Sequence, residues 1–407
     1  MKLRNKLAAA LAATLISGAS FAGTLVINSS QSDPAPKAAW AEIVDKFSKA
    51  NPDIDVKYNL YDHEAYKTTI RNWLVTSPPD VVFWFAGNRM KTFVDRNLFE
   101  DVSGLWKDNG MYDDFASAIP AMSVNGKQYG VPYSYYQWGI YYRKDLFDKF
   151  GIGVPKSWDD LVAASKTLKE NGVAPFTIGT KYLWTAAGWF DYLNMRINGL
   201  DFHIELMDGK VPYTDPRVKA VFTKWDELVK PGYYIDNHTS YSWQEAQSFL
   251  YKGEAAMYLM GNFLAANFTD EMKEKMGFFQ FPVINPEVGM AEDAPMDTIH
   301  IPTKAKNKED ARRFLEFVAK AENQQLINEA MLQIPTNSKA KVKDDPFLNA
   351  GVKMLAEASG TAQFYDRDTD PSMAKEGMKG FQEYMVYPDR IDKILKRVDK
   401  VRQRTFK

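Results

Sequence analysis

From Thr24 onward, short apolar runs alternate with stretches whose apolar residues recur every three or four positions. Thr24 to Asn28 (TLVIN) is a strand-length run, and Trp40, Ile43, Val44 and Phe47 follow at helical spacing, with Asp33 suited to the N-cap and Pro34 to the first helical position. Ile54, Val56, Tyr58 and Leu60 alternate with polar neighbours, which predicts a half-buried strand. Tyr66, Ile70, Trp73 and Leu74 share one helical face, and Pro78 to Phe85 (PPDVVFWF) is apolar on both faces, as in a buried parallel strand. Strand, helix, strand, helix, strand predicts an α/β protein with a parallel sheet. Ser157 with Asp160, and Ser242 with Glu245, are Ser-x-x-acid boxes that open later helices. One helix is expected from about Lys308 to Met331 around Phe314, Leu315 and Val318, and a last amphipathic helix carries Ile391, Leu395, Val398 and Val401.

The N-terminus breaks this pattern. Lys2, Arg4 and Lys6 precede an apolar run from Leu7 to about Ile16, with small residues Ser20 and Ala22 at cleavage spacing. That is the layout of a secretory signal peptide over residues 1–22, and the run is too short for a bilayer span. Export places the expected mature protein in a bacterial periplasm. Losing three of 51 basic residues, and none of 52 acidic ones, leaves the chain nearly neutral. Neutrality argues against nucleic acid as a partner, since phosphate binding needs a basic face. No cysteine occurs, so disulfides contribute nothing to stability.

Most motifs of catalysis are missing. His63, His203, His238 and His300 are far apart and form no metal-binding pair. No nucleophile elbow, Walker loop or dinucleotide fingerprint is present, and no cofactor is expected. What does stand out is aromatic and planar polar residues at the carboxyl ends of strands, where α/β sheets bind ligands. Ser30 and Gln31 follow the first strand, Asn88 and Arg89 the third, and Gly261, Asn262 and Phe263 the strand Ala255 to Met260. Trp184, Trp189, Asp191, Trp243, Asp366 and Arg367 extend the set, and SYYQWGIYYRKDLF (Ser134 to Phe147) concentrates tyrosines in one place. Any one of these aromatics fits a core as well as a site. Together, flat rings beside bidentate polar groups match a sugar, which has apolar C–H faces and a hydroxyl fringe.

Four segments resemble the extracellular solute-binding proteins of ABC sugar importers, the group that includes the maltose-binding protein. They are VNGKQYGVPYSYY (Val124 to Tyr136), YYRKDLFDKFGIGVPKSWDDL (Tyr141 to Leu161), FLYKGEAAMYLMGNF (Phe249 to Phe263) and IHIPTKAKNKEDARRFLEFV (Ile299 to Val318). The resemblance implies a periplasmic-binding-protein fold of two α/β lobes with a hinge and an inter-lobe cleft. Residues 23–131 and 296–333 would form the first lobe, 132–295 and 334–407 the second. Pro132 to Gln137 would be the first crossing, with Tyr133, Tyr135 and Tyr136 nearest the ligand. By the same resemblance Asp297 and Thr298 follow the return crossing, and Trp243 starts a helix facing the cleft. Phe263 stands where the family often has Trp. The implied partners are a small carbohydrate and a membrane permease, with the protein a monomer and not an enzyme.

Two other readings compete. Related two-lobed proteins hold ferric iron on adjacent tyrosines, here Tyr135-Tyr136, Tyr141-Tyr142 or Tyr233-Tyr234. A secreted glycoside hydrolase would need two carboxylates such as Asp191 and Asp297 across the scissile bond. Arg89, Arg143 and Arg367 leave room for an acidic sugar, since a guanidinium fork suits planar anions.

Overall fold

The computed structural model describes residues 23–407, so the expected signal peptide, 1–22, lies outside the described residues. Two mixed sheets organise the chain. The first contains β1 (Thr24–Ser29), β2 (Asp55–Leu60), β3 (Val81–Phe85), β4 (Val131–Tyr135) and β9 (Met296–His300), in the order β2-β1-β3-β9-β4. As the hydrophobic pattern requires, β1 is parallel to β2 and β3, with α1 (Pro34–Ala50) and α2 (His63–Thr76) as crossovers. Strand β9 runs antiparallel between β3 and β4, placing Asp297 opposite Phe85 on one side and Ser134 on the other, with a register shift at Asp297/Thr298. Helix α3 (Asn88–Val94) leaves the end of β3 through Gly87, whose φ of +69° suits glycine.

The second sheet has β5 (Trp138–Arg143), β6 (Ala174–Phe176), β7 (Ala255–Gly261) and β8 (Met276–Phe279), in the order β8-β5-β7-β6. Around it pack α4 (Trp158–Glu170), α5 (Trp184–Asn198) and α6 (Trp243–Lys252), with α9 (Tyr365–Asp368), α10 (Pro371–Val386) and α11 (Ile391–Thr405) near the C-terminus. Both predicted capping boxes are formed, at Ser157/Asp160 and Ser242/Glu245. Two expectations change in detail. Asp33 occupies the N-cap of α1 but makes no side-chain cap bond. The helix expected from Lys308 to Met331 is two helices, α7 (Lys308–Ala319) and α8 (Ala321–Met331), because Lys320 is extended (ψ 139°) and the Asn323 amide caps the Phe317 carbonyl.

Each sheet has its own core. One runs from Leu25 to Tyr133 and from Met296 to Met331, the other from Tyr136 to Ala291 and from Leu332 to Val398. The chain therefore changes sides after Tyr133, before Met296 and after Met331, and Tyr135 pairs with Ile334 through both backbone bonds where two of these passages meet. Among the described residues no helix is long and apolar enough to cross a membrane.

Candidate functional site

Between the two cores lies a cavity of about 110 Å³. Its second-lobe wall is a box of rings: Trp138 at the start of β5, Trp184 opening α5, Trp243 opening α6, Phe263 after β7, and Phe364 before α9. Ring centroids in this box lie 4.6 to 6.5 Å apart, mostly edge-to-face, with Trp138 stacked on Phe364. Gly261 permits the packing, since a Cβ there would meet the Phe263 ring at 2.4 Å and Trp138 Nε1 at 3.1 Å. Two of these rings sit beside unfavourable backbone. Leu183, which precedes Trp184, has φ +72°, and Phe364 itself has φ +116°. Non-glycine residues held there cost about 1–3 kcal/mol each and concentrate at binding sites.

The opposite wall is polar. Asp33 stands at the exit of β1, His63 and Lys67 lie one helical turn apart at the start of α2, and Phe85 ends β3. Burial pushes His63 down to about 3, so its imidazole is neutral near pH 7. Burial also raises the Asp33 carboxyl, whose side-chain partner is Gln244 of the facing lobe at 3.2 Å. A second cross-cleft bond runs from Trp184 Nε1 to Glu64 at 3.2 Å. At the floor, Arg367 joins both passages of the chain: it donates to the Met296 carbonyl (2.9 Å), to Asp297 (3.1 Å) and to the Tyr136 hydroxyl (2.8 Å), and lies 4.2 Å over the Phe85 ring. Burial raises the Asp297 carboxyl, and the adjacent guanidinium opposes that rise. Both cavity cations are already matched, Arg367 by Asp297 and Lys67 by Glu64 at 2.9 Å.

Of the residues singled out from sequence, Tyr136, Trp184, Trp243, Phe263, Asp297, Asp366 and Arg367 line the cavity. The others lie elsewhere, for identifiable reasons. Tyr133 is buried in the first core against Trp40 and Phe83, where Gln31 donates to its hydroxyl, and Tyr135 is half-buried between the cores. Ser30 is buried at the end of β1. Trp189 is enclosed by Phe176, Trp225, Tyr234 and Phe281 in the second core. Asp191 is buried and accepts from the Tyr365 amide, which fastens α9. Asn262 donates to the Leu332 carbonyl and accepts from Tyr141, while Thr298 bonds His300 within the first lobe. Asn88 reaches the Asp368 carbonyl, and Arg89 lies behind the cavity, 3.7 Å from Asp366. Arg143 is bound to Asp145 and the Leu250 carbonyl at the far end of β5.

Sequence reasoning passed over Asp33, His63, Lys67, Phe85, Trp138, Gln333 and Phe364 as site residues. The strand-end rule reaches several of them, because α2 begins just beyond the carboxyl end of β2. Most of the residues named for the competing readings lie outside the cavity. Tyr141, Tyr142, Tyr233 and Tyr234 are buried in the second core, burial raises Tyr136, and no group of three His, Cys, Asp or Glu side chains placed to hold a metal ion occurs among the described residues. Asp191 does not line the cavity, so no pair with Asp297 forms across it.

Similarity to known proteins agrees with this architecture. The chain is 29% identical over 335 residues to an ABC transporter extracellular-binding protein of Pyrococcus horikoshii, covering 79% of this chain and 74% of that one. It is 23% identical over 292 residues to the multiple sugar-binding protein of Streptococcus mutans, 70% of this chain and 68% of that one. The solved structure of the bacterial solute receptor AcbH, described as having an exclusive preference for β-D-galactopyranose, superposes with a TM-score of 0.88 at 30% identity over 94% of this chain and 99% of that one. The family model for bacterial extracellular solute-binding proteins matches residues 31–325, a span that includes every strand of both sheets except the first, and the chain belongs to that family.

Proposed function

We propose that this protein captures one uncharged sugar between its lobes and hands it to the membrane permease of an ABC importer. The observation that carries the reading is the opposition of a five-ring box on one lobe to Asp33, His63 and Lys67 on the other, with Asp297 and Arg367 at the floor. Rings of Trp and Phe suit the apolar face of a pyranose, and carboxylates accept paired hydroxyls. An acidic sugar is disfavoured because Lys67 and Arg367 each have a carboxylate partner already, while Asp33 has no cationic partner among the described residues. A bound anion would add a buried charge with nothing to balance it. The small volume and the relation to a galactopyranose receptor both favour a monosaccharide.

The passages at 131–137, 295–297 and 332–334 would serve as the hinge. A ligand touching both lobes stabilises the closed arrangement by its differential affinity for it, and the permease would read that arrangement. The test is thermal denaturation of refolded mature protein with neutral monosaccharides, disaccharides and uronic acids. A ligand at about 1,000 times its Kd adds about 4 kcal/mol. A neutral sugar is expected to raise the midpoint, and Trp243→Ala to abolish that rise. A rise with uronic acids alone, or with no sugar at all, would refute the proposal.

A further inference from the structure

A second hollow, of about 360 Å³, opens between the lobes beyond α3 and α9. The same two stretches of chain, at the start of β9 and around α9, line both this hollow and the ring-lined cavity. Around the start of β9, Pro295 and Asp297 face the cavity whereas Met296 faces the hollow. Around α9, Phe364, Asp366 and Arg367 face the cavity whereas Gln363 and Asp368 face the hollow. We propose that this partition sets the length of the bound saccharide, closing off the space that a second sugar unit would enter. The proposal rests on the sugar-capture reading above and adds a size limit to it.

The partition is tightly joined across the lobes. From the first lobe, Asn88 donates its amide to the Asp368 carbonyl, and the Met296 amide donates to Gln363 Oε1 at 3.1 Å. From the second, Arg367 donates to the Met296 carbonyl, and the Asp368 carboxyl holds the Gln363 amide at 2.8 Å. Gly87 shows how close the backbones come: a Cβ there would lie 2.9 Å from the Arg367 carbonyl oxygen. A disaccharide extending this way would have to part Asn88 from Asp368 and leave half-buried polar groups unmatched, whereas a single ring disturbs none of these bonds. The hollow has a mixed lining, with Asn88, Lys91, Asp208 and Gln363 set among apolar residues such as Ile204 and Met207, so it offers both ring-face contact and hydrogen-bond partners to a sugar unit once reached.

The experiment is calorimetric titration of the mature protein with D-galactose and D-glucose, against lactose, melibiose and maltose. Wild type is expected to bind one monosaccharide at least about 100-fold more tightly than any disaccharide containing it. Asn88→Ala should narrow that ratio to about tenfold or less while weakening the monosaccharide only a few-fold. Gln363→Ala opens the same partition from the other lobe and should act in the same direction if Asn88→Ala does not fold. Equal wild-type affinity for mono- and disaccharide would overturn the proposal. So would variants that weaken both ligands in proportion, since that is what a simple bond between the lobes would do. If wild type binds no sugar, the sugar-capture reading fails first and this proposal falls with it.

Discussion

Arg367→Met tests whether the cleft floor is held by one shared cation. The guanidinium is enclosed, and it serves Asp297, the Met296 carbonyl and the Tyr136 hydroxyl together while covering the Phe85 ring. Methionine keeps much of the apolar contact with Phe85 and removes the charge and the donors. Breaking a buried ion pair from one side costs about 3–5 kcal/mol, because the remaining charge is left without compensation. Asp297→Asn alone should cost less, about 1–2 kcal/mol, since Arg367 keeps two of its acceptors. The double variant is therefore expected to be less destabilised than the sum of the singles by about 2 kcal/mol, measured by urea denaturation without ligand. A pH comparison sharpens the test. Burial raises Asp297 and Arg367 opposes the rise, so losing the cation lifts the carboxyl further. A carboxyl raised on folding costs nothing below its unfolded pKa, and stability is lost as pH climbs through the folded value. The Arg367→Met penalty should thus be larger at pH 8 than at pH 5. Additivity within about 0.5 kcal/mol, or an equal penalty at both pH values, would refute the reasoning.

Burial pushes the half-buried Asp368 carboxyl up to about 7 from 3.8, so Asp368→Asn should match wild type only below the unfolded value of 3.8 and exceed it at pH 8, by up to about 4 kcal/mol in urea titrations. A pH-independent difference would argue against a charge effect there. Trp189→Ala should destabilise the fold by about 3–5 kcal/mol while leaving ligand affinity of the folded protein unchanged by calorimetry, because that ring packs in the core and not in the cavity. Ser242→Ala removes the cap bond to the Glu245 amide and should cost about 1 kcal/mol. Since the same residue sets the start of α6, it should also weaken ligand binding by moving Trp243, which the thermal-shift assay reads directly.

The α/β alternation, both capping boxes and the buried third strand were legible in the sequence because each depends on neighbours within a few residues: period, N-cap chemistry and apolar runs. The strand-end rule, applied after β1, β3 and β7, named Ser30, Gln31, Asn88, Arg89, Gly261, Asn262 and Phe263, of which Phe263 lines the cavity. Choosing residues within those regions was harder. Tyr133 and Tyr136 stand three positions apart in one aromatic run, yet Tyr133 is sealed under Trp40 and Phe83 while Tyr136 meets Arg367 in the cavity. Nothing local distinguishes them. Which one is covered depends on where α1 and β9 pack against β4, and on the point at which the chain leaves one core for the other. The helix break at Lys320 has a similar origin, since the apolar stripe continues through it and only the Asn323 cap marks the stop. Asp33 reads locally as a helix cap, but Gln244, 211 residues away, takes its carboxylate across the cleft. Local periodicity thus determined the elements and their order, whereas long-range packing decided which side chains the cavity received, because a side chain's partner is set by the approach of distant segments.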